Sequence, residues 1–273
     1  MIILDGNKLS QKIIEGLAEE IKEKKLNLNL AVVLVGQNSV SKSYISKKRE
    51  ASEKIGVKFS FHEFSDEVSQ SNLEREVKRL VEEKDISGIV IQLPLPKDIR
   101  LDDILNLVPY HKDPDMLSKD SSDRFERQES ETLPPVVSGI KKLLEEYKID
   151  ILNKNIVVVG KGRLVGKPLS VWLKNMGAKF EILDRKTEDI SAFTKNADII
   201  ISGTGSIGII KDDMIKEGAI LIDAGTSSEG GEIKGDIDRN AYEKASFVAP
   251  VPGGVGPMTI ACLLDNLVKL NNG

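Results

Sequence analysis

The chain has 273 residues, 40% hydrophobic and 30% charged, the balance of a soluble globular chain with room for one large domain or, nearer the usual size, two. Its 39 basic and 43 acidic residues sum to −4, which leaves no general cationic field to draw in nucleic acid or an anionic membrane. A single cysteine, Cys262, excludes an intrachain disulfide and a cysteine-based zinc site, and two histidines, His62 and His111, exclude a three-histidine metal centre.

No apolar run approaches the roughly 18 residues of a bilayer span. Asp5 and Lys8 interrupt Met1 to Leu9, so the start does not read as a signal peptide, and reducing cytoplasm is the expected setting. From there, short β-branched apolar runs alternate with amphipathic stretches, the rhythm of a parallel α/β sheet. Strands are expected at Leu28 to Val35, Val57 to Phe64 and Gly88 to Leu93, with helices beginning after Gln37 and after Ser69. Ser69 suits an N-cap, and Leu73, Val77, Leu80 and Val81 form one apolar stripe behind it. Asp113 to Glu131, rich in Asp, Ser, Glu and Arg, reads as a surface loop with a hinge, and a domain boundary fits there. The rhythm resumes at Ile156 to Val159, Lys179 to Leu183, Asp198 to Ser202 and Ala219 to Asp223. A last helix is expected over Met258 to Leu270, with Ile260, Leu263, Leu264, Leu267 and Val268 on one side.

The clearest ligand signal follows the fourth strand. Gly160, Gly162 and Gly166 form G-x-G-x-x-x-G between a buried-strand run and a helix through Leu169, Trp172 and Leu173. Glycines there allow a tight turn and close backbone approach, and the helix N-terminus offers N–H groups to a pyrophosphate. The spacing is one residue longer than the usual dinucleotide fingerprint. Asp184 closes the next strand, where an acid would hold the ribose hydroxyls of NAD, yet Lys161, Arg163, Arg185 and Lys186 supply cations for the 2′-phosphate of NADP. Two more turns, Ser202-Gly-Thr204-Gly205 and Asp223-Ala-Gly-Thr226, follow strand ends and are placed to line ribose and nicotinamide.

Two further stretches bear on chemistry. Tyr44 and Lys48 lie four residues apart and share a helix face, which on pattern alone is an exposed lysine beside an amphipathic tyrosine. Gln92 ends an apolar strand before Leu-Pro-Leu-Pro96, placing an amide that needs a partner at the sheet's edge.

Together with Lys112-Asp-Pro-Asp115, Gly235-Asp-Ile-Asp238 and Pro250-Val-Pro-Gly-Gly-Val-Gly-Pro-Met-Thr259, these segments give a family resemblance. The chain resembles the bifunctional methylenetetrahydrofolate dehydrogenase/methenyltetrahydrofolate cyclohydrolase family over essentially its whole length. The resemblance implies two α/β domains, the second Rossmann-like and NADP-binding, with folate in a cleft between them. The expected division is 1–118 plus 256–273 for the folate-binding catalytic domain and 119–255 for the NADP domain. It implies a homodimer acting on tetrahydrofolate derivatives, with no nucleic-acid or membrane partner. Lys48 matches the catalytic lysine, which needs a lowered pKa to exchange protons during ring opening. Tyr44 matches the residue that packs on the folate and orients that lysine, Gln92 the amide that holds it, and Asp115 the acid on the pterin's amino edge. Pro252, Gly253 and Gly254 match a substrate-side loop. Gly160, Lys161, Gly162, Arg163, Gly166, Arg185, Thr204, Gly205 and Thr226 are the expected cofactor contacts.

The chain departs from the family at four places. Met116 stands where a glycine usually follows the folate acid, and Pro134-Pro135-Val136-Val137 replaces Pro-Cys-Thr-Pro. Lys161-Gly162 replaces Arg-Ser, and Asp184-Arg185 replaces His-Ser. The competing readings are a two-domain dehydrogenase of shikimate dehydrogenase type, which would not explain the proline-rich segments, and a non-catalytic folate or dinucleotide binder.

Overall fold

The computed structural model describes residues 1–272. In chain order the elements are β1 (Ile2–Ile3), α1 (Gly6–Lys24), β2 (Asn29–Val35), α2 (Ser39–Lys54), β3 (Lys58–Phe64), α3 (Gln70–Glu82), β4 (Gly88–Ile91), α4 (Leu101–Leu105), α5 (Lys119–Glu126) and α6 (Pro135–Glu146). They continue as β5 (Ile156–Val159), α7 (Gly166–Asn175), β6 (Phe180–Leu183), α8 (Ile190–Thr194), β7 (Ile199–Ser202), β8 (Ile220–Asp223), β9 (Ser227–Glu229), β10 (Glu232–Lys234), β11 (Phe247–Ala249) and α9 (Val255–Leu270). Two compact units result: Met1–Ser10 with Val136–Thr259, and Gln11–Pro135 with the residues from Ile260 onward.

The second of these carries a parallel three-stranded sheet, β3-β2-β4. Every residue of β2 is buried, which requires both faces of the sheet to be covered. The period of two sorts them. Leu30, Val32 and Leu34 pack with Leu17 and Ile21 of α1, Ile45 of α2, and Leu263, Leu264 and Leu267 of α9. Ala31, Val33 and Val35 pack with Leu73, Val77 and Leu80 of α3, the stripe that follows the Ser69 N-cap. The other unit holds a parallel six-stranded sheet, β1-β11-β8-β7-β5-β6. Its central strands β5, β7 and β8 are buried along their whole length. The antiparallel hairpin β9–β10 stands apart from that sheet.

Asp113 to Glu131 is not the surface loop its composition suggests. It contains α5, and Asp113, Ser118, Ser121 and Phe125 are all buried. The polar residues serve one another: the Asp113 carboxylate accepts from the Ser118 N–H at 2.8 Å and from the Ser121 hydroxyl at 2.7 Å, while the Ser118 side chain caps the helix. The packing boundary accordingly falls after Pro135 rather than near residue 118, and β1 pairs with β11 in the six-stranded unit.

The Met116 departure has a local cost. Its φ of 58° lies in the left-handed region that glycine tolerates and a side chain resists, by roughly 1–2 kcal/mol. Met116 nevertheless fills a core position at 3% exposure, and its sulfur accepts from the Thr132 hydroxyl at 3.0 Å. Emptying a buried Met site costs about 2–5 kcal/mol, so burial outweighs strain. Met116→Gly is expected to destabilise the protein by about 1–3 kcal/mol in urea unfolding, although glycine is the family's usual residue.

Candidate active site

Helix α2 begins at an Asn38 N-cap whose side chain accepts from the Ser41 N–H at 2.9 Å. Ser41, Ile45, Lys48 and Ser52 recur at three- and four-residue spacing and form its buried face. Lys48, which pattern alone would leave in solvent, is therefore carried inward and is only 7% exposed. Its Nζ donates to Gln92 Oε1 at 3.0 Å. Gln92 is fixed in turn, because its backbone N–H extends the sheet ladder to Val33 O at 2.8 Å and its Nε2 donates to Leu93 O at 3.0 Å. The Ser41 hydroxyl donates to the same carbonyl, ahead of a cis Leu93–Pro94 bond. The amide at the end of β4 thus reaches the lysine from a rigid strand.

Asp115 completes the cluster. Burial lowers the Lys48 pKa from its ordinary 10.5, with the Asp115 charge opposing the shift. Burial raises the Asp115 carboxyl above 3.8, opposed by Lys48 and reinforced by the Asp113 charge. The Asp115 carboxyl is enclosed by protein even though the residue keeps part of its surface open. Tyr44, half-buried, lies one helical turn before Lys48. A buried amine with a depressed pKa beside an acid is a candidate proton-exchange site.

The glycine turn of the six-stranded unit is built for close approach. Gly160 has φ 102°, and a Cβ there would meet Gly203 O at 2.7 Å. A Cβ on Gly166 would strike Gly160 O at 1.8 Å, so the first turn of α7 sits directly on the β5 turn. Nothing lies within 4 Å of a Cβ built on Gly162, and Lys161, Gly162 and Arg163 are exposed. No side chain caps α7. An open, cationic helix N-terminus of this kind fits a pyrophosphate. One Asp184 carboxylate oxygen accepts from the Lys186 N–H at 2.8 Å, closing the turn that presents Arg185 and Lys186 to solvent. Thr204, Gly205 and Thr226 lie in the turns after β7 and β8 of the same sheet. Pro252, Gly253 and Gly254 belong to this unit too, and their glycines are accounted for locally. Gly253 has φ 104° and accepts from the Asn7 N–H at 3.1 Å, while a Cβ on Gly254 would meet Pro250 O at 2.7 Å.

Asp223 and Asp236, both at 0% exposure, were not expected as site residues. Asp223 takes backbone N–H bonds from Gly225, Asp236 and Ile237 at 3.0, 3.1 and 2.9 Å. Burial pushes its carboxyl up to about 6 against the pull of those donors. In the sequence each acid lies within two residues of a glycine, and the structure shows why: a Cβ on Gly225 would meet the Asp236 carboxylate at 2.1 Å, and one on Gly235 the Asp223 carboxylate at 2.0 Å.

Residues 4–115 match the family model for the tetrahydrofolate dehydrogenase/cyclohydrolase catalytic domain, and residues 134–272 that for its NAD(P)-binding domain. The bifunctional protein FolD of Sulfurimonas denitrificans is 43% identical over 275 residues, covering 98% of this chain and 96% of its own. The solved structure of the bifunctional FolD enzyme from Campylobacter jejuni superposes with a TM-score of 0.94 at 39% identity, covering 100% and 99%. The Trypanosoma brucei enzyme, solved with NADP cofactor and an inhibitor, gives a TM-score of 0.94 at 31% identity, covering 100% and 97%. A shikimate 5-dehydrogenase from Listeria monocytogenes reaches a TM-score of only 0.53 at 12% identity over 90% and 92% of the chains, a likeness of fold alone.

Proposed function

The chain belongs to the tetrahydrofolate dehydrogenase/cyclohydrolase family, and from that premise we propose how its own residues divide the two reactions. The enzyme oxidises methylenetetrahydrofolate to methenyltetrahydrofolate with NADP and hydrolyses the product to 10-formyltetrahydrofolate, a step pair of one-carbon metabolism. Bound NADP would supply the hydride acceptor for the methylene carbon. The glycine turn at 160–166 would hold its pyrophosphate, Arg185 with Lys186 and Lys161 its 2′-phosphate, and Thr204, Gly205 and Thr226 the remainder.

Ring opening is the work of the three-stranded unit. Asp115 anchors the pterin through its amino edge, and Tyr44 supports the folate's aromatic portion. Water adds to the cationic methenyl carbon, and neutral Lys48 accepts a proton from it. As the bond from that carbon to N5 breaks, Lys48 returns a proton to N5 and the second water proton leaves to solvent. Gln92 keeps the amine on this path by accepting one of its N–H bonds, and burial supplies the neutral form that an ordinary lysine lacks.

The observation that carries this reading is the buried Lys48 amine held 3.0 Å from Gln92 with Asp115 as its charged neighbour. Its test is a spectrophotometric assay on the purified chain: methylenetetrahydrofolate with NADP yields NADPH and methenyl absorbance that then decays. Absence of NADPH in the complete mixture would overturn it. The same assay reads cofactor choice. Arg185→Ala is expected to reduce the NADP over NAD preference about tenfold, the worth of one exposed charge-assisted phosphate contact. Equal efficiencies in the wild type would contradict the assignment. We further propose a cytoplasmic homodimer, read as twice the chain mass by light scattering. Among the described residues no helix is long and apolar enough to cross a membrane.

A further inference from the structure

The acid pair found beneath the nucleotide turns is idle in the chemistry above, yet its bonds converge on one segment. The Asp236 carboxylate accepts from the Ser202 hydroxyl at 2.8 Å, from the Thr204 N–H at 2.6 Å and from the Ser206 N–H at 2.9 Å. Three donors from one five-residue turn therefore close on a single side chain that lies 34, 32 and 30 residues away along the chain. The Asp236 backbone is itself pinned, its N–H donating to Asp223 Oδ1 at 3.1 Å, and Ile210 N–H donates to its carbonyl at 3.1 Å.

That turn has a defined place in the sheet. β5 lies between β6 on one side and β7 on the other, so the glycine turn after β5 marks the point where the strand order reverses. A dinucleotide lying across such a point puts its adenosine half toward β6, where Arg185 stands, and its other half toward β7 and β8. The turn after β7 also touches the phosphate cradle. A Cβ on Gly203 would meet Val165 Cγ1 at 2.4 Å, and Gly160 packs on the Gly203 carbonyl. A turn free to shift would disturb both.

We propose that Asp236 is a positioning residue for NADP: its buried carboxylate holds the Ser202–Ser206 turn in the shape that receives the nicotinamide half, with Asp223 holding Asp236. This rests on the reading of the six-stranded unit as the NADP site. Asparagine at position 236 would keep one acceptor oxygen and turn an amide N–H₂ toward donors, so the turn would lose at least one of its three bonds.

The experiment measures dissociation constants on the full chain for NADPH and for adenosine 2′,5′-bisphosphate, which spans the adenosine half alone. Asp236→Asn is expected to weaken NADPH about tenfold, to change the adenosine bisphosphate less than twofold and to leave methenyltetrahydrofolate hydrolysis intact, since that reaction uses no nucleotide. Ser202→Ala, a milder change, is expected to weaken NADPH about threefold with the same selectivity. Should Asp236→Asn fail to fold, as far-ultraviolet circular dichroism and urea unfolding would reveal, Ser202→Ala decides alone. Unchanged NADPH binding in the folded variants, or equal loss of both ligands, overturns the proposal. Failure of the wild type to bind NADPH would instead refute the NADP reading itself.

Discussion

Lys48→Met is expected to slow hydrolysis of methenyltetrahydrofolate by about 10³-fold, the range that removal of a positioned proton-transfer group commonly costs. Methionine matches the lysine's length, needs no hydration and carries no proton, so the buried face of α2 stays filled while the chemistry is lost. The principal penalty to the fold is Gln92 Oε1, which loses its donor at a cost of about 1–3 kcal/mol. Loss of the methenyl absorbance over time reports the rate, and far-ultraviolet circular dichroism confirms the fold. An unchanged hydrolysis rate in folded Lys48→Met would remove the lysine from the mechanism.

Asp115→Asn carries the second large effect, for two separable reasons. A carboxylate on the pterin's amino edge makes charge-assisted bonds, and truncating one partner of such a contact costs about 2–5 kcal/mol. KM for the folate should therefore rise by about 10²-fold in both reactions. The other reason concerns protons. The Asp115 charge raises the Lys48 pKa against the stronger lowering by burial. Removing that charge lowers it further, so neutral Lys48 persists to more acidic pH. In the hydrolysis reaction, the acid limb of kcat/KM should move to lower pH in Asp115→Asn. A limb displaced to higher pH would contradict the coupling between the two groups.

Much of this architecture is legible in the sequence because its central strands are short apolar runs buried on both faces. Ile156–Val159 is bounded in the structure as the pattern places it, and the Ser69 cap with its apolar stripe becomes α3. What the pattern hides has physical causes. β1 and β11 span two and three residues, too few for any period to register. The segment from Asp113 to Glu131 looks solvated because its serines and aspartates are polar, but they satisfy one another and cap α5. The burial of Lys48 is invisible at the level of residue type, since only the packing of Ser41, Ile45 and Ser52 on the same face turns it inward. The Asp223–Asp236 pair escapes for a related reason: 13 residues separate it along the chain, and only the strand ends bring it together.

Proton exchange at the site depends on a lysine whose proton is loosely held because the fold buries it. Titration of the chain with isotopically labelled lysine side chains, followed by nuclear magnetic resonance, measures this directly, with Lys48→Met assigning the resonance by its disappearance. The Lys48 signal is predicted to titrate below the ordinary 10.5, and lower still in Asp115→Asn. A Lys48 that titrates at the ordinary lysine value of 10.5 would contradict its role as the proton acceptor.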